Sequence, residues 1–177
     1  MRLILMRHPP VTGGAGRCYG RLDLPADADA IPASLAALAP WSGLPVYASP
    51  ALRCRQLADA FSSDVSLWAE LQELDFGDWE GRFWDDIERA ELDRWAADIW
   101  HYRPGNGESA AMLLARWRFA VARWQEAGLE QAVVITHAGI IRTALAETGL
   151  LGGNERWNTP IPHAQAYELN LQKVHIN

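Results

Sequence analysis

Two histidines and two arginines stand at points of this chain where a strand gives out. In Leu3-Ile4-Leu5-Met6-Arg7-His8-Pro9-Pro10 a short apolar run meets an arginine and a histidine, then stops at two prolines. A strand this hydrophobic reads as buried in a sheet, its last residues emerging at the edge where open α/β sheets build their sites. Proline disfavours the helical region for the residue before it, so His8 is expected to be extended. An imidazole beside a permanent cation suits a nucleophile or base facing an anion better than a core filler. In Ser49-Pro50-Ala51-Leu52-Arg53, Val46 to Ala48 read as a strand, Ser49 as a helix N-cap and Pro50 as the first helical residue. That puts Arg53 in the first helical turn. In Val133-Val134-Ile135-Thr136-His137-Ala138-Gly139 a further strand, turn and helix start carry His137 to a strand's carboxyl end, where backbone N–H groups favour an anion. Together these strand ends would bring Arg7, His8, Arg53 and His137 to one crevice.

The same residues admit a rival chemistry, metal ligation by His8 and His137. No third ligand stands at a recognisable spacing, and two arginines would repel a cation. Beside Arg7 and Arg53 a charged imidazole is disfavoured, which leaves a ring nitrogen of His8 free to act as a nucleophile or base. Its other ring nitrogen should donate to a carbonyl to fix the tautomer. A proton donor is needed too, and Glu70, Glu73, Asp75, Asp78 and Glu80 crowd one loop. Spacing alone does not single out one of them.

Strand signals lie near 2–6, 45–48, 132–136 and 165–171, with a shorter one near 65–68, and helix signals over 33–39, 50–62, 84–98, 108–127 and 138–149. Leu113, Trp117, Val121 and Trp124 recur at helical spacing and should face the core. Pro104 to Gly107 breaks one helix and Gly152-Gly153-Asn154 another. Strands alternating with helices predict a three-layer α/β/α domain with a largely parallel central sheet. One domain over 1–177 is expected, with about 76–106 inserted as a cap over the crevice. Most of the nine tryptophans should be core. In the cap, Trp79, Phe83 and Trp84 could stack on an aromatic leaving group.

Composition narrows the partners. The 177 residues, 49% hydrophobic and 21% charged, are those of an ordinary soluble domain with a substantial core. A net charge of −6 argues against nucleic-acid binding, which needs a basic stripe. It also requires positive charge to be focused locally if an anion is to bind. Cys18 and Cys54 suggest reduced thiols rather than a disulfide framework. The apolar run 3–6 is too short for a signal peptide or a membrane span, so no membrane partner is expected and the cytoplasm is the expected location. His101, His163 and His175 lack supporting context, although His163 follows a proline-rich turn.

In this order the motifs resemble the histidine phosphatase superfamily, the phosphoglycerate-mutase-like fold. Arg7-His8 matches its Arg-His-Gly nucleophile motif, Ser49 to Arg53 its Ser-Pro-x-x-Arg helix, and His137-Ala138-Gly139 its second histidine turn. Glu73, in Glu70-Leu71-Gln72-Glu73-Leu74-Asp75-Phe76-Gly77, matches the family's acid loop. The segment Cys18-Tyr19-Gly20-Arg21-Leu22-Asp23-Leu24-Pro25 resembles the branch of α-ribazole-5′-phosphate phosphatases of cobalamin biosynthesis.

The resemblance implies a phosphomonoesterase that needs no cofactor and no metal. His8 would become phosphohistidine, Arg7, Arg53 and His137 would hold the phosphoryl oxygens, and Glu73 would protonate the leaving oxygen. It also implies that Ser109, which by itself reads as a helix cap or first-turn residue, lies near the substrate. The chain departs from the pattern in three ways. Pro9 replaces the glycine after the histidine, so positions 9 and 10 offer no N–H; 11–15 lacks the phosphate-contacting Asn; Leu57 stands where many members have Thr. Arg21 could supply missing donors. The alternatives are a broad-specificity phosphatase, a phosphoglycerate-type mutase, whose relatives resemble longer chains, and a non-catalytic binding protein on the same fold.

Overall fold

The computed structural model describes residues 1–149 and 159–171. Five strands, β1 (Arg2–Arg7), β2 (Val46–Ala48), β3 (Val65–Leu67), β4 (Gln131–Thr136) and β5 (Ala166–Asn170), form one sheet in the order β3-β2-β4-β1-β5. All neighbours pair in parallel except β5, which runs antiparallel to β1 at the edge. The apolar runs of β1 and β4 are explained by burial on both faces. Leu3, Leu5, Ala132 and Val134 join one core cluster, and Ile4, Met6, Val133 and Ile135 the other.

The first cluster is completed by α4 (Ala110–Glu126) and α5 (Ala138–Glu147), the second by α1 (Ile31–Leu38) and α2 (Leu52–Phe61). This gives the expected three layers. On α4, Leu113, Trp117 and Trp124 are fully buried and Val121 packs against them. Among the tryptophans, Trp79, Trp117 and Trp124 are buried while Trp41, Trp68, Trp84, Trp95 and Trp100 are half-buried. Trp157, the break at 152–154 and His175 lie outside the described residues. No helix of the described residues is long and apolar enough to cross a membrane.

Three expectations need correction. The N-cap of α2 is Ala51, not Ser49, and the helix starts at Leu52, not Pro50. The Ser49 hydroxyl is drawn away by His137, and Asp23 Oδ1 accepts the Leu52 N–H instead, at 2.7 Å. The helix expected over 84–98 is shorter: Trp84–Asp86 form a 3-10 turn and α3 spans Arg89–Ala97. Between them Ile87 is extended and buried, anchoring the chain in a cluster with Cys18 and Trp79. Trp79 is therefore core rather than a stacking surface. Its indole N–H donates to Glu91 at 3.1 Å, and Trp84 stacks on Trp95 with ring centroids 6.2 Å apart. Phe83 alone of the three aromatics is exposed, under the Arg17 guanidinium at 4.0 Å.

Candidate active site

The carboxyl ends of β1, β2 and β4 bring His8, Arg53 and His137 together in the interior. His8 is 2% exposed, and its ring lies edge-on to His137 with centroids 5.1 Å apart. The backbone N–H of His8 extends the sheet by one bond to Thr136 O, 2.9 Å. Its Nδ1 lies 2.7 Å from Pro9 O. A carbonyl only accepts, so Nδ1 carries the proton of the neutral ring and Nε2 keeps the lone pair. Pro9 thus offers no amide hydrogen but still supplies the oxygen that selects the tautomer. Burial first, then the Arg53 and Arg7 guanidinium groups, hold His8 well below the usual imidazole range against the pull of that bond.

Arg53 is wholly buried and held like a strut. Its Nη1 donates to Leu22 O at 2.9 Å, and its Nη2 to Gly20 O at 2.6 Å and to His137 Nδ1 at 3.2 Å. As a guanidinium only donates, His137 accepts on Nδ1 and donates from Nε2 to Ser49 Oγ, 2.8 Å. Burial, followed by Arg53 and His8, lowers His137 well below its ordinary value. The site therefore combines two neutral imidazoles with permanent cations. Arg7 Nη1 donates to Ile161 O at 2.7 Å, and the Nε atoms of Arg7 and Arg53 are buried without a partner among the described residues. Cys54, 3.6 Å from His137 Nε2, has its thiol pushed up to about 12 by burial and stays protonated.

Glu73 is half-buried and lines an open crevice with Gly20, Arg21, Asp23, Pro50, Ala51 and Gln72, a lining to which Arg7, His8, Arg53 and His137 do not contribute. Its oxygens accept the N–H of Leu74 at 3.0 Å and of Gly139 at 3.1 Å. The acceptor at the start of α5 is thus the protein's own Glu73 side chain, as that of Asp23 is at the start of α2. A side chain at position 139 would bring its Cβ within 2.2 Å of Glu73 Oε1, so only glycine lets the carboxylate approach. The lining contains nothing from 76–106, which the sequence placed over the crevice.

Of the remaining sequence candidates, Arg21 lies in the crevice wall, but its guanidinium faces the acid loop. Its Nε donates to Glu73 O at 2.9 Å, Nη1 bonds Gln72 Oε1, and Nη2 lies 3.7 Å from Glu108. Ser109 caps α4, its hydroxyl accepting the Met112 N–H at 3.4 Å. His101 is exposed beside Asp98. His163 is not isolated: its ring lies 5.6 Å from that of His8.

Sequence reasoning missed the roles of three groups, Arg116, Glu108 and Glu80. Arg116 forks onto Glu108 at 2.6 and 2.7 Å and donates to the carbonyls of Glu70, Gln72 and Glu73, bracing the acid loop. Glu80 accepts the backbone N–H groups of Gly20, Arg21, Leu22 and Phe76, fixing the turn whose carbonyls hold Arg53. At Gly20 a Cβ would strike Leu74 O at 1.8 Å, so that turn needs glycine too. Ser49 was noticed, but for the wrong partner. The partners of Arg116, Glu108 and Glu80 lie far away in sequence, and no local spacing announces them. Among the described residues no three His, Cys, Asp or Glu side chains gather as a metal site.

One family model, histidine phosphatase superfamily, branch 1, matches residues 3–176. This chain belongs to that superfamily. No curated protein matches it. Among solved structures, TTHB049 from Thermus thermophilus is 26% identical with a TM-score of 0.76, covering 96% of this chain and 93% of that one. A phosphoglycerate mutase from the same organism is 27% identical, TM-score 0.76, over 96% and 93% of the two chains. The α-ribazole phosphatase from Shigella flexneri shares the fold at TM-score 0.84 and 24% identity, over 98% and 92%. A histidine phosphatase superfamily enzyme of phosphomonoesterase or mutase type acts on phosphomonoesters, and that is the substrate class the family implies here.

Proposed function

We propose that this enzyme hydrolyses phosphomonoesters through a phosphohistidine at His8, with α-ribazole 5′-phosphate as its substrate. The observation that carries the reading is the Nδ1 bond from His8 to Pro9 O, which leaves a neutral Nε2 lone pair among cations. That lone pair attacks phosphorus as the ester P–O bond breaks, and Glu73 gives its proton to the leaving oxygen. Water then attacks phosphorus as the P–N bond breaks and returns its electron pair to His8 Nε2, Glu73 takes up the water's proton, and inorganic phosphate leaves. The unpartnered Nε donors of Arg7 and Arg53 are the groups for the phosphoryl oxygens. His137 orients Arg53 through Nδ1, and binds phosphate directly only by turning its Nε2–H away from Ser49. Arg21 orders the leaving-group wall, and Ser109 acts from behind it.

The substrate assignment rests on the Cys18 to Pro25 motif, with the shared fold of the Shigella enzyme beside it. The polar wall of Arg21, Asp23 and Gln72 suits a hydroxylated sugar. Phosphate release from α-ribazole 5′-phosphate, ribose 5-phosphate and 3-phosphoglycerate tests it. The expected kcat/KM for α-ribazole 5′-phosphate exceeds that for ribose 5-phosphate by about tenfold or more. Equal values would make it a broad-specificity phosphatase. Conversion of 3- to 2-phosphoglycerate without phosphate release would make it a mutase, the reading favoured by the likeness to the Thermus mutase.

A further inference from the structure

The two ends of the chain hold each other at the nucleophile. Arg7 reaches from β1 to the carbonyl of Ile161, and His163 reaches back, its Nδ1 2.6 Å from the carbonyl of His8. The pairs are 154 and 155 residues apart in sequence. This clasp lies just past the end of the sheet. β5 pairs with β1 only from Arg2 to Met6, so beyond Met6 that edge has no ladder partner. Residues 161–163 pass there with side chain and carbonyl in place of a strand, and Ala164 takes a left-handed φ of 53°, uncommon for a residue with a Cβ.

We infer that His163 is a positioning residue for the nucleophile, its Nδ1–H fixing the carbonyl of His8 and through it the attack angle of the His8 ring. The inference rests on the reading of His8 as nucleophile. The carbonyl it grips belongs to the His8–Pro9 peptide, and the next carbonyl, Pro9 O, holds His8 Nδ1. One peptide unit thus separates the gripped oxygen from the oxygen that selects the ring tautomer. His8 is buried, and Pro9 has no N–H with which to anchor this peptide itself. Without His163 the His8 carbonyl loses its partner and the peptide is free to rotate, carrying Pro9 O away from Nδ1. As His163 donates through Nδ1, its own Nε2 holds a lone pair and takes no part in the grip.

Two substitutions separate the grip from any chemistry of the ring. His163→Asn keeps an N–H donor at nearly the same reach, and His163→Leu keeps bulk but no donor. In ¹⁵N spectra His8 of the wild type should be the Nδ1–H tautomer; His163→Leu should mix the tautomers and His163→Asn restore the single one. Phosphoenzyme formation should slow on the order of 10- to 100-fold in His163→Leu, with KM nearly unchanged, and recover in His163→Asn to within about threefold of wild type. An unaltered His8 tautomer and rate in His163→Leu would overturn the inference, and so would His163→Asn as slow as His163→Leu. Should His163→Leu not fold, wild-type His163 decides: a ring protonated on Nε2 alone at neutral pH overturns the grip. If the wild type forms no phosphohistidine, the proposed function falls, and the His8 tautomer still judges the clasp.

Discussion

The two walls of the site are built by different means. On the nucleophile wall, His8, Arg53 and His137 are almost wholly buried and held mainly by backbone carbonyls and one another. On the other wall, which lines the crevice, Glu73 is half-exposed, and its loop is held by a charged network of Arg116, Glu108 and Arg21. Burial on the first wall keeps two imidazoles neutral among cations. In the mechanism we propose, access on the second lets a carboxyl exchange protons with a leaving oxygen and with water. A nucleophile needs a fixed, desolvated geometry, and an acid that must serve two steps needs a wet face.

The contrast can be broken first on the buried wall. Arg53→Lys replaces a planar fork, held by two carbonyls and an imidazole, with a point charge. We expect kcat/KM to fall by about 10²- to 10³-fold with every substrate, since the clamp acts on the phosphoryl group they share. Retention of full kcat/KM would remove Arg53 from the clamp.

The open wall should respond to the leaving group instead. In Glu73→Gln, phosphoenzyme formation from a sugar phosphate should slow by about 10²- to 10⁴-fold, but far less from p-nitrophenyl phosphate, whose leaving group departs without a proton. Equal slowing of this first step would point to Asp75 or Asp78 as the acid. One step further back, Arg116→Met leaves Glu108 buried without its fork, at a cost of about 3 kcal/mol in thermal or denaturant unfolding. It should also lower sugar phosphate turnover by about tenfold while sparing p-nitrophenyl phosphate. Equal losses with both substrates would mean that the network does not serve Glu73.

The smallest effect is that of pH on the imidazoles. His8 and His137 are lowered in the fold, so below about pH 6.5 the unfolded chain binds protons that the folded protein refuses. Stability should therefore be at its full value above that pH, decline as pH falls through the region below it, and level off only once the native rings are protonated. Melting temperatures at successive pH values test this; a rise on acidification from pH 7 would contradict it. The acid limb of kcat/KM reports His8 in the folded protein, so it should fall only well below pH 6.5.

The same contrast explains what could be read from the sequence. The buried wall follows from local grammar: an apolar strand, then a basic residue or histidine, then proline or a helix start. Arg7, His8, Arg53 and His137 were all visible that way, as was the three-layer sheet that brings His8, Arg53 and His137 together. Glu73 was visible only through its family motif, because five acids crowd one loop and their separate tasks depend on distant partners. Glu80 braces the Arg53 turn and Glu108 pairs with Arg116, neither of which spacing reveals. Ser49 had the composition of a cap, but a buried imidazole competes for its hydroxyl. The aromatic segment read as a lid turned out to carry a core of its own around Trp79 and Ile87.

The most direct test of the account is to trap its intermediate. Wild-type enzyme mixed rapidly with a phosphomonoester, quenched in alkali to preserve the acid-labile P–N bond and mapped by mass spectrometry, should carry one phosphoryl group on His8. His8→Ala should carry none and lose turnover while keeping its fold. A phosphoryl group on another residue, or wild-type turnover by His8→Ala, would contradict the account.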